Sequence, residues 1–329
     1  MEAAAVIAAS HDGSLMLRIS VTDRCQLRCE YCMPEDGIAL CRHEDMLSYE
    51  EIRDCVRVFH EWKGLRKVRI TGGDPLVRRD IEVFVAMLAQ LGIPDIAMTT
   101  NGQRLESFAA PLKSAGLQRV NVSLDSLNPE TYRRLSRGGS LDRARAGIEA
   151  ALRCGLRPVK LNMVVMRGVN DIEVGEMLAF ALDSGCEIRF LELMPIGVAA
   201  SLHAARFIAS SEILARISAV YALSPLPFDP TSTARRFAVV DGQGRKGVAG
   251  FVSPCSDSFC QGCRRLRLTA DGQLVGCLAG SKSIDIRALL REGSPGSLAA
   301  LKNAVHSALG HKRSKPEFTR QLSIGAIGG

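Results

Sequence analysis

The octet Cys25-Gln-Leu-Arg-Cys29-Glu-Tyr-Cys32 holds three thiols, with three and then two residues between them. Ligands this close in sequence serve one centre only if the chain turns tightly around it, so the stretch must be a loop wrapped on an inorganic group. A [4Fe–4S] cube held by such a triplet keeps one iron without a protein ligand. An open iron takes a substrate or cofactor directly, so the spacing points to chemistry rather than to structural support. A zinc ion with nearby His43 as fourth ligand is the alternative. Structural zinc sites usually present paired Cys-x-x-Cys arms, however, and the first spacing here is one residue longer. A disulfide suits neither an odd set of close thiols nor a chain without an export signal.

Around this loop, short apolar runs alternate with amphipathic stretches. Residues 15–21 read as a strand that delivers the chain into the octet. Further strands are expected at 67–70, 93–99, 119–124, 158–165 and 188–193. Helices are expected at 48–62, 80–91, 105–115, 130–135, 141–154 and 173–184. Ser48 with Glu51 has capping-box spacing. Repeated βα units imply a parallel sheet with helices outside it. Six units are too few for a closed eight-fold barrel, so the expectation is α/β, an incomplete (β/α)6 barrel of the TIM type. Its motif residues would gather at the carboxyl ends of the strands. The division falls at 1–195 for this core and 196–329 for a smaller α+β region. That region contains a helix at 211–220, a Pro/Ser-rich linker at 224–233 and β-like runs at 237–240 and 247–251. A helix at 298–309, capped by Ser297, precedes a basic tail.

With 47% hydrophobic residues over 329 positions there is ample material for a core, and the formal net charge of +7 favours an anionic partner. A polyphosphate satisfies that charge as well as nucleic acid does. Aromatics are only 5%, and no basic tract is interleaved with them, which argues against a base-stacking surface. Glu2, with no positive segment, precedes the apolar run at 3–9, a poor fit to a signal peptide. No apolar stretch has the length to span a membrane. The eleven cysteines are therefore expected as thiols and metal ligands of a cytoplasmic protein. Cys41, Cys55, Cys154, Cys186 and Cys255 read as ordinary small residues.

A second triplet consists of Cys260-Gln-Gly-Cys263 and, after thirteen further residues, Cys277. On its own it reads as another three-coordinate cluster site, as a zinc knuckle or as a redox dithiol. In a strand beginning at Arg265, Arg265 and Arg267 point to one face. Beside a cluster, two such guanidiniums form a pocket for a polyanion; without one they read as a solvated basic strand edge. Asp271-Gly272 is a hairpin-turn dipeptide that returns the chain to Cys277.

The first octet, with an aromatic before its last cysteine, resembles the radical S-adenosylmethionine (SAM) superfamily. Taken with Thr71-Gly72-Gly73-Asp74-Pro75, the second triplet, the Arg265/Arg267 pair, Arg18-Ile-Ser-Val-Thr-Asp-Arg-Cys25, Arg119-Val-Asn-Val-Ser-Leu-Asp125 and the terminal Gly328-Gly329, the chain is similar to the MoaA family. These are the radical SAM GTP 3′,8-cyclases of molybdenum cofactor biosynthesis. The resemblance implies the radical SAM fold, SAM, and two [4Fe–4S] clusters, on Cys25, Cys29 and Cys32 and on Cys260, Cys263 and Cys277. It implies SAM contacts from Tyr31, Gly73, Ser123 and Met194. GTP contacts would come from Arg18, Arg69, Thr99, Lys160, Arg265 and Arg267, with Arg189 lining the same cavity. Arg18, Arg189, Gly328 and Gly329 would take part in catalysis, the glycines through a tail inserted beside the substrate.

The reaction so implied removes hydrogen from the ribose 3′ carbon of GTP with a 5′-deoxyadenosyl radical. The ribosyl radical attacks guanine carbon 8, and reduction by an outside donor or the second cluster gives 3′,8-cyclo-7,8-dihydro-GTP. Cyclic pyranopterin monophosphate synthase would take this product onward. The resemblance also implies a homodimer, and no nucleic-acid or membrane partner. Gly-Gly-Asp-Pro stands where the family has Gly-Gly-Glu-Pro, and Asp74 is expected to reach the SAM amino group. The tail lacks the bulky residue often found before Ile-Gly-Gly.

Overall fold

The computed structural model describes residues 15–227, 232–261, 263–292 and 295–318. Its strands are β1 (Met16–Ser20), β2 (Lys67–Thr71), β3 (Ile96–Thr100), β4 (Arg119–Ser123), β5 (Lys160–Val165), β6 (Glu187–Glu192), β7 (Ala222–Pro225), β8 (Arg235–Val240), β9 (Lys246–Val252), β10 (Arg265–Leu268), β11 (Gln273–Val275) and β12 (Ile284–Asp285). All twelve form one open sheet in the order β12-β11-β10-β1-β2-β3-β4-β5-β6-β9-β8-β7.

The six expected strands pair in parallel and in chain order, as the βα alternation implied. Two more parallel strands come from beyond residue 195. β10 adds to β1, with Met16 opposite Arg265, and β9 adds to β6, with Arg189 opposite Gly250. The sheet therefore crosses the division drawn at 195, and the C-terminal region completes the wall of the partial barrel on both sides. Antiparallel β11–β12 and β7–β8 extend the two edges.

Parallel strands covered on both faces normally read as unbroken apolar runs. Here the strands alternate instead. Leu17, Ile19, Val68, Ile70, Val120 and Val122 are all fully buried in the hydrophobic core. Each such side chain contributes roughly 1.5–3 kcal/mol by leaving water. The intervening positions, Arg18, Arg69, Asn121, Lys160 and Arg189, face the barrel interior. One face makes the core with the helices, and the other makes a polar cavity.

Helix α1 (Tyr49–Lys63) shows how the outer layer is specified. Ser48 Oγ accepts from Glu51 N at 3.1 Å, and Ser48 N donates to Glu51 Oε2 at 2.7 Å, the capping box expected from sequence. Ile52, Cys55, Val56 and Phe59 form its buried face, and Gly64 ends it at φ 64°. Helices α2 (Ile81–Gln90), α3 (Leu105–Ser114), α4 (Pro129–Ser136), α5 (Leu141–Arg153), α6 (Val174–Ser184) and α8 (Ser210–Ser218) match expectation closely, whereas α7 (Ala199–Arg206) and α9 (Arg287–Glu292) were not foreseen. Helix α10 (Pro295–Gly310) starts before Ser297, so Ser297 lies inside it and is not its cap. A Cβ on Gly276 would stand 1.8 Å from the carbonyl oxygen of Ala308, so this helix packs directly on backbone next to Cys277. Among the described residues no helix is long and apolar enough to cross a membrane.

Candidate functional site

The first triplet follows the carboxyl end of β1. Its loop is seated on the Gly-Gly turn after β2: Gly73 N donates to Thr22 O at 2.7 Å, and Asp74 N donates to Arg24 O at 2.9 Å. A Cβ on Gly73 would lie 2.3 Å from Arg24 O, and one on Gly72 would lie 2.7 Å from Thr22 O. The space that the missing side chain of Gly73 leaves is filled by the backbone of the cysteine loop. The far side of the loop is tied to the last turn of α4, where Arg28 N donates to Ser136 O and Glu30 N to Leu135 O.

Asp74 follows Gly73 in the same turn. It is fully buried, with Oδ1 accepting from Leu76 N at 3.0 Å and Oδ2 from Thr100 Oγ1 and Asn101 N, each at 2.7 Å. Its carboxylate ties β3 to the turn at Pro75–Val77. Tyr31 Oη donates to Asp125 Oδ2 at 2.6 Å, and Asp125 Oδ1 accepts from Val164 N at 2.9 Å. Burial raises Asp125 to about 6. Ser123 ends β4, and Met194 follows β6 and lines the cavity.

The donor set of this loop fits a cluster. Cys25 Sγ accepts from Leu27 N at 3.4 Å and from Asn101 Nδ2 at 3.6 Å. Donors aimed at ligand sulfur are the usual means of tuning iron–sulfur centres. Among the described residues no three thiol, imidazole or carboxylate groups converge as ligands of a single metal ion do. A cube binds each thiolate through a different iron, so its ligands stand farther apart.

The second triplet enters from the opposite end. Cys263 precedes β10, whose first residue, Arg265, lies level with Met16 at the amino end of β1. Cys260, Cys263 and Cys277 line one cavity together. Arg265 Nη2 donates to Cys263 Sγ at 3.3 Å and Lys312 Nζ donates at 3.5 Å; the same ammonium donates to Gly276 O at 2.6 Å and to Arg265 O. Burial pushes thiols up, but these two cations outweigh it and hold Cys263 at about 6. A thiolate is the ligand form of cysteine, so this environment also fits a metal–sulfur group. The Arg265 guanidinium lies 4.7 Å from the centroid of Phe259. Lys312 and Phe259 stand outside any spacing motif, and sequence reasoning missed both.

Beside the second triplet the barrel interior forms a cavity in two lobes, of about 330 and 170 Å3, which share Arg18, Arg69, Arg189 and Arg265. The larger lobe adds Lys67, Arg119 and Lys160, the first residues of β2, β4 and β5. The expectation that the motif residues gather at the carboxyl ends of the strands therefore fails for Lys160 and Arg265, which begin theirs. The cavity spans the length of the strands and reaches their amino ends. Lys160 pairs with Glu187, Lys67 with Asp95 at 3.3 Å, and Arg119 Nε donates to Asp95 Oδ1 at 2.8 Å. Arg18, Arg69 and Arg189 have no salt bridge or side-chain hydrogen bond among the described residues. Burial, then Arg265 and Arg189, lowers Arg18 to about 10. Burial, then Arg18, Arg189 and Arg119, holds Arg69 well below the usual value. Burial is also the main cause that lowers Arg189 to about 10 and Lys160 to about 8. Such crowding of desolvated like charge calls for an anion.

Arg267 is 7% exposed and lines the smaller lobe beside Arg265, on the shared face expected from strand parity. Thr99 Oγ1 accepts from Asn121 Nδ2 at 3.3 Å. Asn121 and Asn162 each bury a side-chain oxygen with no donor among the described residues. Both sit two residues after a cavity cation, Arg119 and Lys160, a parity signal that would have found them. Gly328 and Gly329 lie outside the described residues; Pro316 and Phe318, near the last described position, line the smaller lobe.

A Radical SAM superfamily profile matches residues 19–181, and a Molybdenum Cofactor Synthesis C profile matches residues 186–318. The chain is 43% identical over 290 residues to the GTP 3′,8-cyclase of Alkaliphilus metalliredigens (strain QYMF), covering 88% of each chain. It is 47% identical over 281 residues to that of Moorella thermoacetica (strain ATCC 39073 / JCM 9320), covering 85% of each. It is 40% identical over 319 residues to that of Petrotoga mobilis (strain DSM 10674 / SJ95), covering 95% of this chain and 97% of the relative. Among solved structures, Streptococcus suis SuiB bound to S-adenosylmethionine aligns with a TM-score of 0.60 at 15% identity, over 93% of this chain and 76% of that one, a likeness of fold alone. Sequence identity over nearly the whole chain, on a radical SAM fold, means that the chain belongs to the GTP 3′,8-cyclase family of the radical SAM superfamily.

Proposed function

We propose that this enzyme converts GTP to 3′,8-cyclo-7,8-dihydro-GTP, the first step of molybdenum cofactor biosynthesis. The observation that carries the reading is the convergence of Arg18, Arg69 and Arg189, without a salt bridge among the described residues, in a cavity that Cys260, Cys263 and Cys277 also line. Cys25, Cys29 and Cys32 would hold a [4Fe–4S] cluster, with SAM against Tyr31, the Gly73 backbone, Ser123 and Met194. Cys260, Cys263 and Cys277 would hold a second cluster facing the guanine. When bound, the first cluster and SAM supply the 5′-deoxyadenosyl radical that takes the ribose 3′ hydrogen.

The residues of this chain do the rest. Arg18, Arg69 and Arg189 neutralise the triphosphate, together with Lys160, Arg265 and Arg267, and so fix the nucleotide along the barrel axis. Thr99, Asn121 and Asn162 offer hydroxyl and amide groups to the nucleoside, satisfying the two orphaned amide oxygens. Hydrophobic and aromatic groups near the second triplet, Phe259 and Phe318, keep water from a reactive radical. Gly328 and Gly329 would enter the same cavity, a placement supported by Phe318 already lining it. The product would pass to cyclic pyranopterin monophosphate synthase, and a separate reductant protein would supply electrons.

The test is an anaerobic turnover of reconstituted protein with SAM, dithionite and GTP deuterated at the ribose 3′ carbon. Deuterium in 5′-deoxyadenosine together with a cyclised nucleotide is expected. Unlabelled 5′-deoxyadenosine would place the hydrogen abstraction elsewhere and reject this reaction.

A further inference from the structure

Resting on the reading of the cavity as a GTP site, we infer that the nucleotide is bound free of a divalent cation, its phosphate charge met by side chains alone. In solution a nucleoside triphosphate carries a magnesium ion, and sites that accept the complex usually hold the ion through one or two carboxylates beside the phosphates. Among the described residues three carboxylates line this cavity, and each is already taken. Asp95 accepts from Arg119 Nε at 2.8 Å and is paired with Lys67 at 3.3 Å. Glu187 holds Lys160, whose side chain is 8% exposed. Glu192, 2% exposed, accepts from the backbone N–H groups of Ser210 and Cys255 at 2.9 Å and of Ser256 at 3.0 Å, so it serves the loop before the second triplet.

The cations outnumber these carboxylates. Arg18, Arg69 and Arg189 form no salt bridge among the described residues, and Arg236 and Arg265 line the same walls. A magnesium ion on the β- and γ-phosphates would meet guanidiniums where it needs oxygen, in a space partly closed to water, where like charges repel most strongly. The bare triphosphate meets the opposite situation. Each unpaired guanidinium offers a planar fork of donors suited to phosphate oxygens.

The test is equilibrium dialysis of GTP against reconstituted protein at constant ionic strength, first with EDTA and then with rising free magnesium. If only metal-free GTP is competent, the apparent Kd scales inversely with its fraction. Each tenfold rise in magnesium beyond saturation of the nucleotide should then weaken binding about tenfold. A Kd that stays level or falls as magnesium rises overturns the inference. Absence of GTP binding in both EDTA and magnesium overturns the reading of the cavity itself. Manganese gives an independent readout, because the aqueous ion has a sharp paramagnetic resonance spectrum. Adding the oxidised protein to manganese–GTP should release aqueous manganese. An immobilised manganese signal that forms only with protein and GTP together would refute the inference.

Discussion

Replacing Arg18 by methionine is expected to make the ligand-free protein more stable and its GTP complex weaker. Methionine keeps an unbranched stem of similar reach and removes only the charge and its donors. In the folded protein Arg18 falls from 12.5 to about 10, chiefly through burial and then through Arg265 and Arg189. At ~1.4 kcal/mol per pH unit, that fall corresponds to an upper bound of about 3 kcal/mol of destabilisation. Water in the cavity screens part of it, leaving about 1–2 kcal/mol. The sign follows from linkage: the folded state holds this proton less tightly than the unfolded chain, so the charged group destabilises at every pH below about 10. The gain should therefore be the same at mildly acidic and mildly basic pH. It corresponds to a rise in Tm of roughly 2–4 °C per kcal/mol for a chain of this size class. GTP binding should lose one charge-assisted interaction, about 1.5–3 kcal/mol, or roughly 10- to 150-fold in Kd. Thermal unfolding of reconstituted protein without nucleotide, and equilibrium dialysis of GTP, read the two effects separately. A lower Tm with an unchanged Kd would refute the reasoning and make Arg18 a structural residue.

Cys25→Ala should abolish SAM cleavage; continued formation of 5′-deoxyadenosine would remove the first triplet from its assigned role. Gly276→Ala should displace α10 from Cys277, because the new Cβ would meet the Ala308 carbonyl at 1.8 Å. Iron content should then fall by about one cluster while SAM cleavage persists, and full iron loading would show that the helix yields. The double variant Arg265→Ala, Arg267→Ala should weaken GTP binding with iron retained, and unchanged affinity would return both arginines to a structural role. Ser48→Ala should lower stability by about 1 kcal/mol through loss of the capping box, with GTP affinity unaltered; a change in affinity would mean that α1 helps to shape the cavity.

The cysteine spacings were legible because a ligand triplet is a local fact: residues three and four apart must share one loop whatever the rest of the chain does. The βα alternation was legible for a similar reason, since the period of Leu17, Ile19, Val68 and Ile70 reports a buried face directly. Strand parity also placed Arg265 and Arg267 on one face before any fold was known. Resemblance, not pattern, singled out Thr99, Ser123 and Met194, whose residue types carry no chemistry by themselves.

What the sequence determined by itself was therefore the inventory: two cysteine triplets, a parallel α/β frame and an excess of positive charge. Tertiary structure decided how these meet. Only the pairing of β10 with β1 and β9 with β6 shows that the C-terminal region closes both sides of the same wall. Only register across those strands brings Arg18, Arg69, Arg189 and Arg265 to one cavity and carries it to the amino ends of the strands. The fold also turned Asp74 inward and spent Gly73 on seating the cysteine loop. Local spacing constrains ligands that share a turn of chain, but the field inside a partial barrel is the sum of charges from strands far apart in sequence, and that sum exists only once those strands have paired.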